Sequence, residues 1–270
     1  MKKKDVLSRE MILQETNTAW AGREVRYFDL TDSTNVQARI LAEEGAPHGT
    51  LVVADRQTGG KGRRGRSWES PGGEGIWMSV LLRPKMNPVN ASMLTLVMAL
   101  AAEKGIREVC GLESQIKWPN DLVLNKKKIC GILTEMSTDQ MEIQYVIIGI
   151  GINVCQTEFP EEIRATATSL YLESGEQTAR SKIIGAIMAS LEEYYEKFME
   201  TEDMSGLIEE YNQRLVNLNN EVCILAPSGD FRGVSTGINK AGGLMVRLED
   251  GSETEVISGE VSVRGVYGYV

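Results

Sequence analysis

The sequence predicts an α+β fold, with a mixed or antiparallel sheet flanked by helices and a small β-barrel after it. Strand-like and helical stretches share the first 218 residues without a strict strand–helix–strand rhythm. After Asn220 the pattern changes to short alternating segments separated by turns. A length of 270 residues with 42% hydrophobic content is enough for one large core and a smaller second unit.

Residues 1–24 read as a short lead-in, with a helix near Arg9 to Glu15 and then a polar turn. Thr31, Asp32 and Ser33 offer N-cap oxygens for the next helix. Val36, Ile40 and Leu41 recur there at helical spacing, and Gly45 followed by Pro47 ends it. Leu51 to Ala54 is a short apolar strand, and Ile76 to Leu82 a second, buried one. Ala91 to Ile106 is long and apolar enough for a buried helix. Ile116 to Leu124 reads as a strand interrupted at Pro119, with Lys126-Lys127-Lys128 as the following turn. Ile129 to Met136 and Ile143 to Asn153 are further strands, and Ser181 to Met199 and Leu207 to Leu218 are amphipathic helices. Past a boundary near Asn219, Val222, Ile224 and Ala226 alternate, as do Leu244, Val246 and Leu248. Turns at Pro227-Ser228-Gly229-Asp230 and Glu249-Asp250-Gly251 separate these strands. The expected units are a lead-in of residues 1–24, a main body of 25–218 and a C-terminal unit of 219–270.

The net charge of −9 and pI near 4.9 argue against a general nucleic-acid binder. Lys2-Lys3-Lys4 is not followed by an apolar signal-type segment, and no apolar run approaches the ~18 residues that span a bilayer. A soluble cytoplasmic protein is expected. Cys110, Cys130, Cys155 and Cys223 are widely spaced and form no Cys-x-x-Cys pair, which fits reduced thiols and gives no zinc site. His48 is the only histidine and sits in a turn, where a surface role is expected. Neither a histidine-based metal site nor a Ser-His-Asp triad has residues to draw on.

Residues 59–66 place four cations and four glycines in eight positions. Glycine lets backbone N–H groups approach a ligand closely, and arginine brings forked donors suited to phosphate and carboxylate oxygens. The loop is not a P-loop, because Lys61 is followed by Gly62 instead of Ser or Thr. Nor does a Gly-x-Gly-x-x-Gly open a helix here. It is an anion-holding loop or a solvated basic one. Polar residues elsewhere mark strand ends: Ser33-Thr34-Asn35, Gln57, Lys117, Asn120, Asp121, Lys128 and Asn153. Each has a local alternative. Ser33 caps a helix, Lys126 to Lys128 tip a hairpin, Asp121 pairs with a lysine and Asn153 makes a turn.

Taken together, these segments resemble the biotin–protein ligases, also called biotin–acetyl-CoA-carboxylase ligases. The resemblance rests on Asp32 to Asn35, Gln57 to Trp68, Lys117 to Leu122, Lys128 to Glu135 and Gly149 to Asn153, in the family's order and over about residues 25–175. It implies a core like that of the class II aminoacyl-tRNA synthetases and a small SH3-like C-terminal barrel. It also implies a two-step reaction, in which biotin and MgATP give biotinyl-5′-AMP and the adenylate then acylates a lysine.

By this resemblance Ser33, Thr34, Asn35 and Gln57 bind the ureido ring. Lys61, Gly62 and Arg63 cover the biotin and phosphate, and Lys128 meets the carboxylate and α-phosphate; Arg63 and Lys128 are the catalytic pair. Arg66, Asn120 and Asn153 face ATP, and Asp121 helps to hold Mg²⁺. Trp68 packs over the ligand or is a plain core residue. Lys61 stands where many members have arginine, which keeps the charge and loses the fork. The implied acceptor is a biotin carboxyl carrier protein or domain of acetyl-CoA carboxylase or another biotin-dependent carboxylase. The first matching motif begins at Asp32, so a winged-helix repressor domain and specific DNA binding are not expected; the sequence is silent on oligomeric state, and a sheet-edge homodimer is common among the proteins it resembles. The competing readings are a lipoate or octanoate ligase-transferase and an RNA-binding module built on Arg63 to Arg66.

Overall fold

In the computed structural model, which describes residues 5–226, 229–258, 262–265 and 269–270, both predicted layers of secondary structure are present. The chain runs α1 (Arg9–Glu15), β1 (Val25–Thr31), α2 (Thr34–Glu43), β2 (Thr50–Gln57), β3 (Gly75–Leu82), α3 (Leu94–Cys110), β4 (Gln115–Lys117), β5 (Asp121–Leu124), β6 (Lys127–Asp139) and β7 (Glu142–Asn153). Helices α4 (Leu170–Ser174), α5 (Arg180–Met199) and α6 (Ile208–Arg214) follow. The last strands are β8 (Glu221–Leu225), β9 (Phe231–Ile238), β10 (Leu244–Arg247), β11 (Glu253–Val256) and β12 (Ser262–Gly265). Lys2-Lys3-Lys4 and the Pro227-Ser228 half of an expected turn lie outside the described residues.

The first sheet has the order β1-β2-β3-β7-β6-β5-β4. The β1–β2 pair is parallel and the other neighbours are antiparallel, so the sheet is mixed as expected. All eight residues of β3 are buried, because helices cover the sheet on both faces. Alternate side chains sort onto those faces. Leu51 and Val53 point into the main core with α1, α3 and α5, whereas Val52, Leu81 and Ile147 pack under Ala38 and Ala42 of α2. The second sheet, β11-β10-β9-β8-β12, is antiparallel throughout and is the SH3-like barrel. It meets the first sheet at the β4–β5 hairpin, where Trp118 Nε1 donates to Gly242 O at 3.0 Å.

Several expectations need correction. Strand β1 is an addition, since the sequence suggests no element over residues 25–28. Its burial is uneven and it lies at the sheet edge, so it carries no clean alternation. The helix expected from Ala91 begins with a 3-10 turn, Pro88–Met93, capped by Asn87, and α3 itself runs on to Cys110. This Pro88–Cys110 stretch does pass a length-and-hydropathy test for a bilayer span, contrary to the sequence reading. It is mostly buried within the protein. The last helix stops at Arg214, not Leu218, because Leu215 turns extended. His48 is half-buried, not a surface residue. Its ring lies 4.4 Å from that of Trp20, and Nδ1 accepts Arg83 N–H at 3.0 Å. Burial and then Arg83 lower its pKa.

Helices α3 and α5 approach closely at Gly105, where an added Cβ would lie 2.7 Å from Ile187 Cγ1 and 2.8 Å from Ile187 N. The backbone atom cannot yield as a flexible side chain would. Gly105→Val is therefore expected to destabilise the protein by about 2 kcal/mol or more through overpacking. Urea unfolding should show a lower midpoint with an unchanged slope; an unchanged midpoint would contradict this packing.

Candidate active site

The start of α2, the end of β2, the glycine-rich loop and the facing strands β6 and β7 meet over one face of the sheet. Ser33 occupies the N-cap position, yet its side chain makes no capping bond. Gln57 does that work from β2: Oε1 accepts Thr34 N at 2.7 Å and Thr34 Oγ1 at 3.1 Å, while Nε2 donates to Ser70 Oγ at 2.8 Å. Ser79, in the middle of β3, has Oγ 2.7 Å from Thr34 Oγ1 and 2.6 Å from Asn35 Oδ1. Asn35 Nδ2 donates to Glu135 Oε2 at 3.2 Å, and Arg39 pairs with the same oxygen. These groups form one connected network, neutral apart from the Glu135–Arg39 pair at its end.

Glycines on β6 and β7 make room for this network and for Trp68. Leu133 pairs with Gly149 and Gly131 with Gly151 across the two strands. A Cβ on Gly149 would fall 2.1 Å from Asn35 Oδ1, and one on Gly151 would fall 2.6 Å from Trp68 Nε1. Trp68 Nε1 is buried without a hydrogen-bond partner. Lys128 Nζ lies 5.1 Å from a Trp68 ring centroid.

The basic loop folds back on itself. Gly62 N donates to Arg66 O at 2.7 Å and Trp68 N to Gly60 O at 2.9 Å. Arg64 takes φ +57° at the tip, and Gly65 follows at φ +71°. Arg63 turns inward, with Nη1 donating to Asn120 Oδ1 at 2.8 Å. Burial pulls its pKa down, and Asp121 offsets part of that.

Asn120 and Asp121 sit on the β4–β5 hairpin, where Lys117 and Asp121 are direct cross-strand partners. Asp121 Oδ1 accepts Lys128 Nζ at 2.6 Å and Asn120 Nδ2 at 3.2 Å, while Oδ2 accepts the Tyr269 hydroxyl. Burial works against the Asp121 charge. Lys128, Lys117 and the hydrogen bonds from Lys128 and Tyr269 outweigh it and hold the carboxyl below its ordinary range. Lys117 is itself buried and pushed down to about 8, chiefly by burial and against the pull of Asp121.

The cavity between these parts is lined by Ser33, Thr34, Asn35 and Gln57, by Lys61, Gly62, Arg63 and Trp68, and by Asn120 and Lys128. Met78, Ile132 and Ile150 supply apolar wall. No Asp or Glu is among the described lining residues. The cavity volume is about 50 Å³, room for a few waters. A typical small-molecule site needs roughly 300 Å³ or more. A larger space of about 290 Å³ adjoins it, and Arg63, Asn120, Ile132 and Leu133 line both.

Three sequence-predicted residues lie outside the lining. Arg66 is exposed on the loop. Asn153 is buried, and its amide donates to Thr168 O at 3.0 Å and accepts Gln156 Nε2 at 3.2 Å. Asp121, expected to help hold Mg²⁺, has both carboxylate oxygens engaged by Lys128, Asn120 and Tyr269. The sequence reading did not select Ser70, Ser79 or Tyr269. Ser79 had a signal, as the one hydroxyl in a strand otherwise of glycine and apolar residues. Tyr269 had none.

Residues 27–153 match the biotin/lipoate A/B protein ligase family, and residues 218–264 match the biotin protein ligase C terminal domain. The bifunctional ligase/repressor BirA of Bacillus subtilis (strain 168) is 38% identical over 253 residues, which cover 93% of this chain and 78% of that protein. A biotin–[acetyl-CoA-carboxylase] ligase of Mycobacterium tuberculosis is 31% identical over 247 residues, covering 88% of this chain and 89% of the relative. Among solved structures, the biotin protein ligase from Aquifex aeolicus in complex with biotin and ATP superposes with a TM-score of 0.78 at 33% identity, covering 90% of this chain and 99% of that one.

The lowered Lys117 pKa yields a test of the hairpin electrostatics. Between about 8 and the ordinary lysine value of 10.5, the amine is protonated in the unfolded chain and neutral in the folded one. This residue therefore makes stability rise with pH across that window. Lysine-labelled NMR should show one amine titrating near 8. In Asp121→Asn that amine should titrate lower still, because the anion that supports its charge is gone. An upward shift would show that Asp121 does not act on it.

Proposed function

Since this chain belongs to the biotin/lipoate A/B protein ligase family, we propose that it attaches biotin to a lysine of a biotin carboxyl carrier domain, through biotinyl-5′-AMP and at the expense of ATP. The observation that carries this reading is a cavity with cations and neutral hydrogen-bonding groups in its wall and no carboxylate, in a chain whose net charge is −9. The match of residues 218–264 to a biotin protein ligase domain favours biotin over lipoate. The ligase fold and the acidic surface leave the RNA-binding reading without support.

The chemistry follows from the two networks. A carboxylate oxygen of biotin must form a bond to the α-phosphorus of ATP while the bond to the β-phosphate oxygen breaks and pyrophosphate leaves. Both reactants are anions, and the transition state adds negative charge at phosphorus. Lys128 and Arg63 are the residues we assign to offsetting that repulsion, and preorganised cations are worth most where charge develops. Ser33, Thr34, Asn35 and Gln57 are assigned to the ureido ring, with Met78, Ile132 and Ile150 along the apolar chain. In the second step the acceptor amine forms the amide, AMP leaves with the bonding electrons, and the ammonium proton passes to solvent. Neither step needs a protein nucleophile. This agrees with Cys110, Cys130 and Cys155, whose thiols burial holds protonated.

ATP is taken here as its magnesium complex, with the cation carried on the phosphates, since Asp121 is committed elsewhere. Arg66 is positioned to meet nucleotide only if the loop moves, and the small cavity requires the same motion. The Arg63–Asn120 bond stands in the wall shared with the larger space, so lifting Arg63 joins the two. A closed loop would then keep water from the mixed anhydride. Beyond Gly131, β6 has no strand on its β5 side among the described residues, and this edge is our candidate for a second copy or the carrier domain. We place the division between the ligand-handling unit and the barrel near Asn219.

The direct test is biotin-dependent exchange of labelled pyrophosphate into ATP. The parent protein should support it, and Lys128→Ala should lower the rate about 100-fold or more. Exchange that ignores biotin, or that proceeds with lipoate instead, would sink this reading. Arg63→Gly should form the adenylate, release it, and label lysines on bystander proteins. Retention of the adenylate with unchanged selectivity would remove Arg63 from the closing role.

A further inference from the structure

We propose that Tyr269 is a positioning residue for the first step of catalysis, acting from beyond β12 through Asp121 on Lys128. The inference rests on the ligase reading above. Tyr269 lines neither the cavity nor the larger space beside it. Its hydroxyl donates to Asp121 Oδ2, and its ring lies 4.0 Å from Lys117 Nζ. Asp121 Oδ1 in turn takes Lys128 Nζ at 2.6 Å and Asn120 Nδ2 at 3.2 Å, and Asn120 Oδ1 takes Arg63 at 2.8 Å. One carboxylate therefore links the two cations assigned to catalysis, and Tyr269 holds the oxygen that neither of them uses.

The placement of Lys117 explains why that hold matters. Lys117 faces Asp121 across the hairpin, and among the described residues no ion pair joins the two. Its ammonium rests on the Tyr269 ring, a favourable cation–π contact. With the hydroxyl in place, Asp121 Oδ2 has a neutral partner and Oδ1 is left for Lys128. Without it, Oδ2 is a buried acceptor lacking a donor, and Lys117 is the cation able to satisfy it. The carboxylate would then turn toward Lys117 and draw Lys128 away from the reacting carboxylate. Substrate contacts would survive while transition-state stabilisation falls.

The test is a double-mutant cycle on Tyr269→Phe and Asp121→Asn, read by biotin-dependent pyrophosphate exchange. Tyr269→Phe keeps the ring and its packing. It should lower kcat and kcat/KM together by about 10-fold, with both KM values within about 2-fold of the parent, the pattern of an interaction felt only in the transition state. In the Asp121→Asn background the same change should alter kcat by less than about 2-fold. Multiplicative effects in the double variant would show that Tyr269 does not work through Asp121 and would overturn the proposal. So would a Tyr269→Phe protein with parental kcat. A raised KM with parental kcat would assign Tyr269 to substrate contact instead and would equally overturn it. Absence of exchange in the parent protein would sink the ligase reading itself, an outcome distinct from the others.

Discussion

Two of the cations that line the cavity, Lys128 and Arg63, are arranged around one buried carboxylate. A buried Asp is unfavourable unless it is paired and hydrogen-bonded, and Asp121 has both kinds of partner. The β4–β5 hairpin sets Lys117 opposite it, the start of β6 brings Lys128, and the basic loop brings Arg63 through Asn120. The cluster holds more cations than anions. The excess is what an incoming carboxylate or phosphate meets. An acidic protein can thus hold an anion site, because the surface charge lies in water and is screened, while this cluster lies in a drier place where each charge counts for more.

The same arrangement makes the closed site a poor fit for its own ligand. Trp68 lies against Gly131 and Gly151, Arg63 turns in to Asn120, and about 50 Å³ remains between them. The loop's internal bonds, Gly62 to Arg66 and Gly60 to Trp68, tie Arg63 and Trp68 to one another. The buried Trp68 Nε1 has no acceptor, a state that is disfavoured by about 1–3 kcal/mol for such groups.

Local chemistry made much of the site legible in the sequence. The helix start at Ser33 to Asn35, the loop of glycines and arginines, and the polar ends at Gln57, Asn120 and Lys128 each follow from turn or capping rules, and the fold brings all of them to one cavity. What stayed hidden depended on partners distant in the chain. Asp121 read alone suits a metal as well as a lysine, and its three neighbours lie elsewhere in the sequence or on the adjoining residue. Asn153 carries the right side chain at a strand end, but Thr168 and Gln156 claim its amide. Ser79 sits in an apolar strand whose hydroxyl has meaning only once α2 lies across it. Strand β1 has mixed burial because it is an edge, so period-two patterning could not reveal it.

The barrel touches the Lys117–Asp121 hairpin at two points. Its Gly242 carbonyl accepts from Trp118, and Tyr269 beyond its last strand donates to Asp121. Those two contacts fall on either side of Pro119, within the hairpin that also carries Lys117 and Asn120. No barrel residue lines the small cavity among those described. The influence is positional, and its scale follows from Coulomb's law. At an effective dielectric of about 20, moving one charge from about 4 to 5 Å from another changes their interaction by roughly 1 kcal/mol, close to the 1.36 kcal/mol of a tenfold change in rate. On the ligase reading, a hairpin displacement of about one ångström would change the rate several-fold, and the barrel also reaches the larger space directly through Ser258.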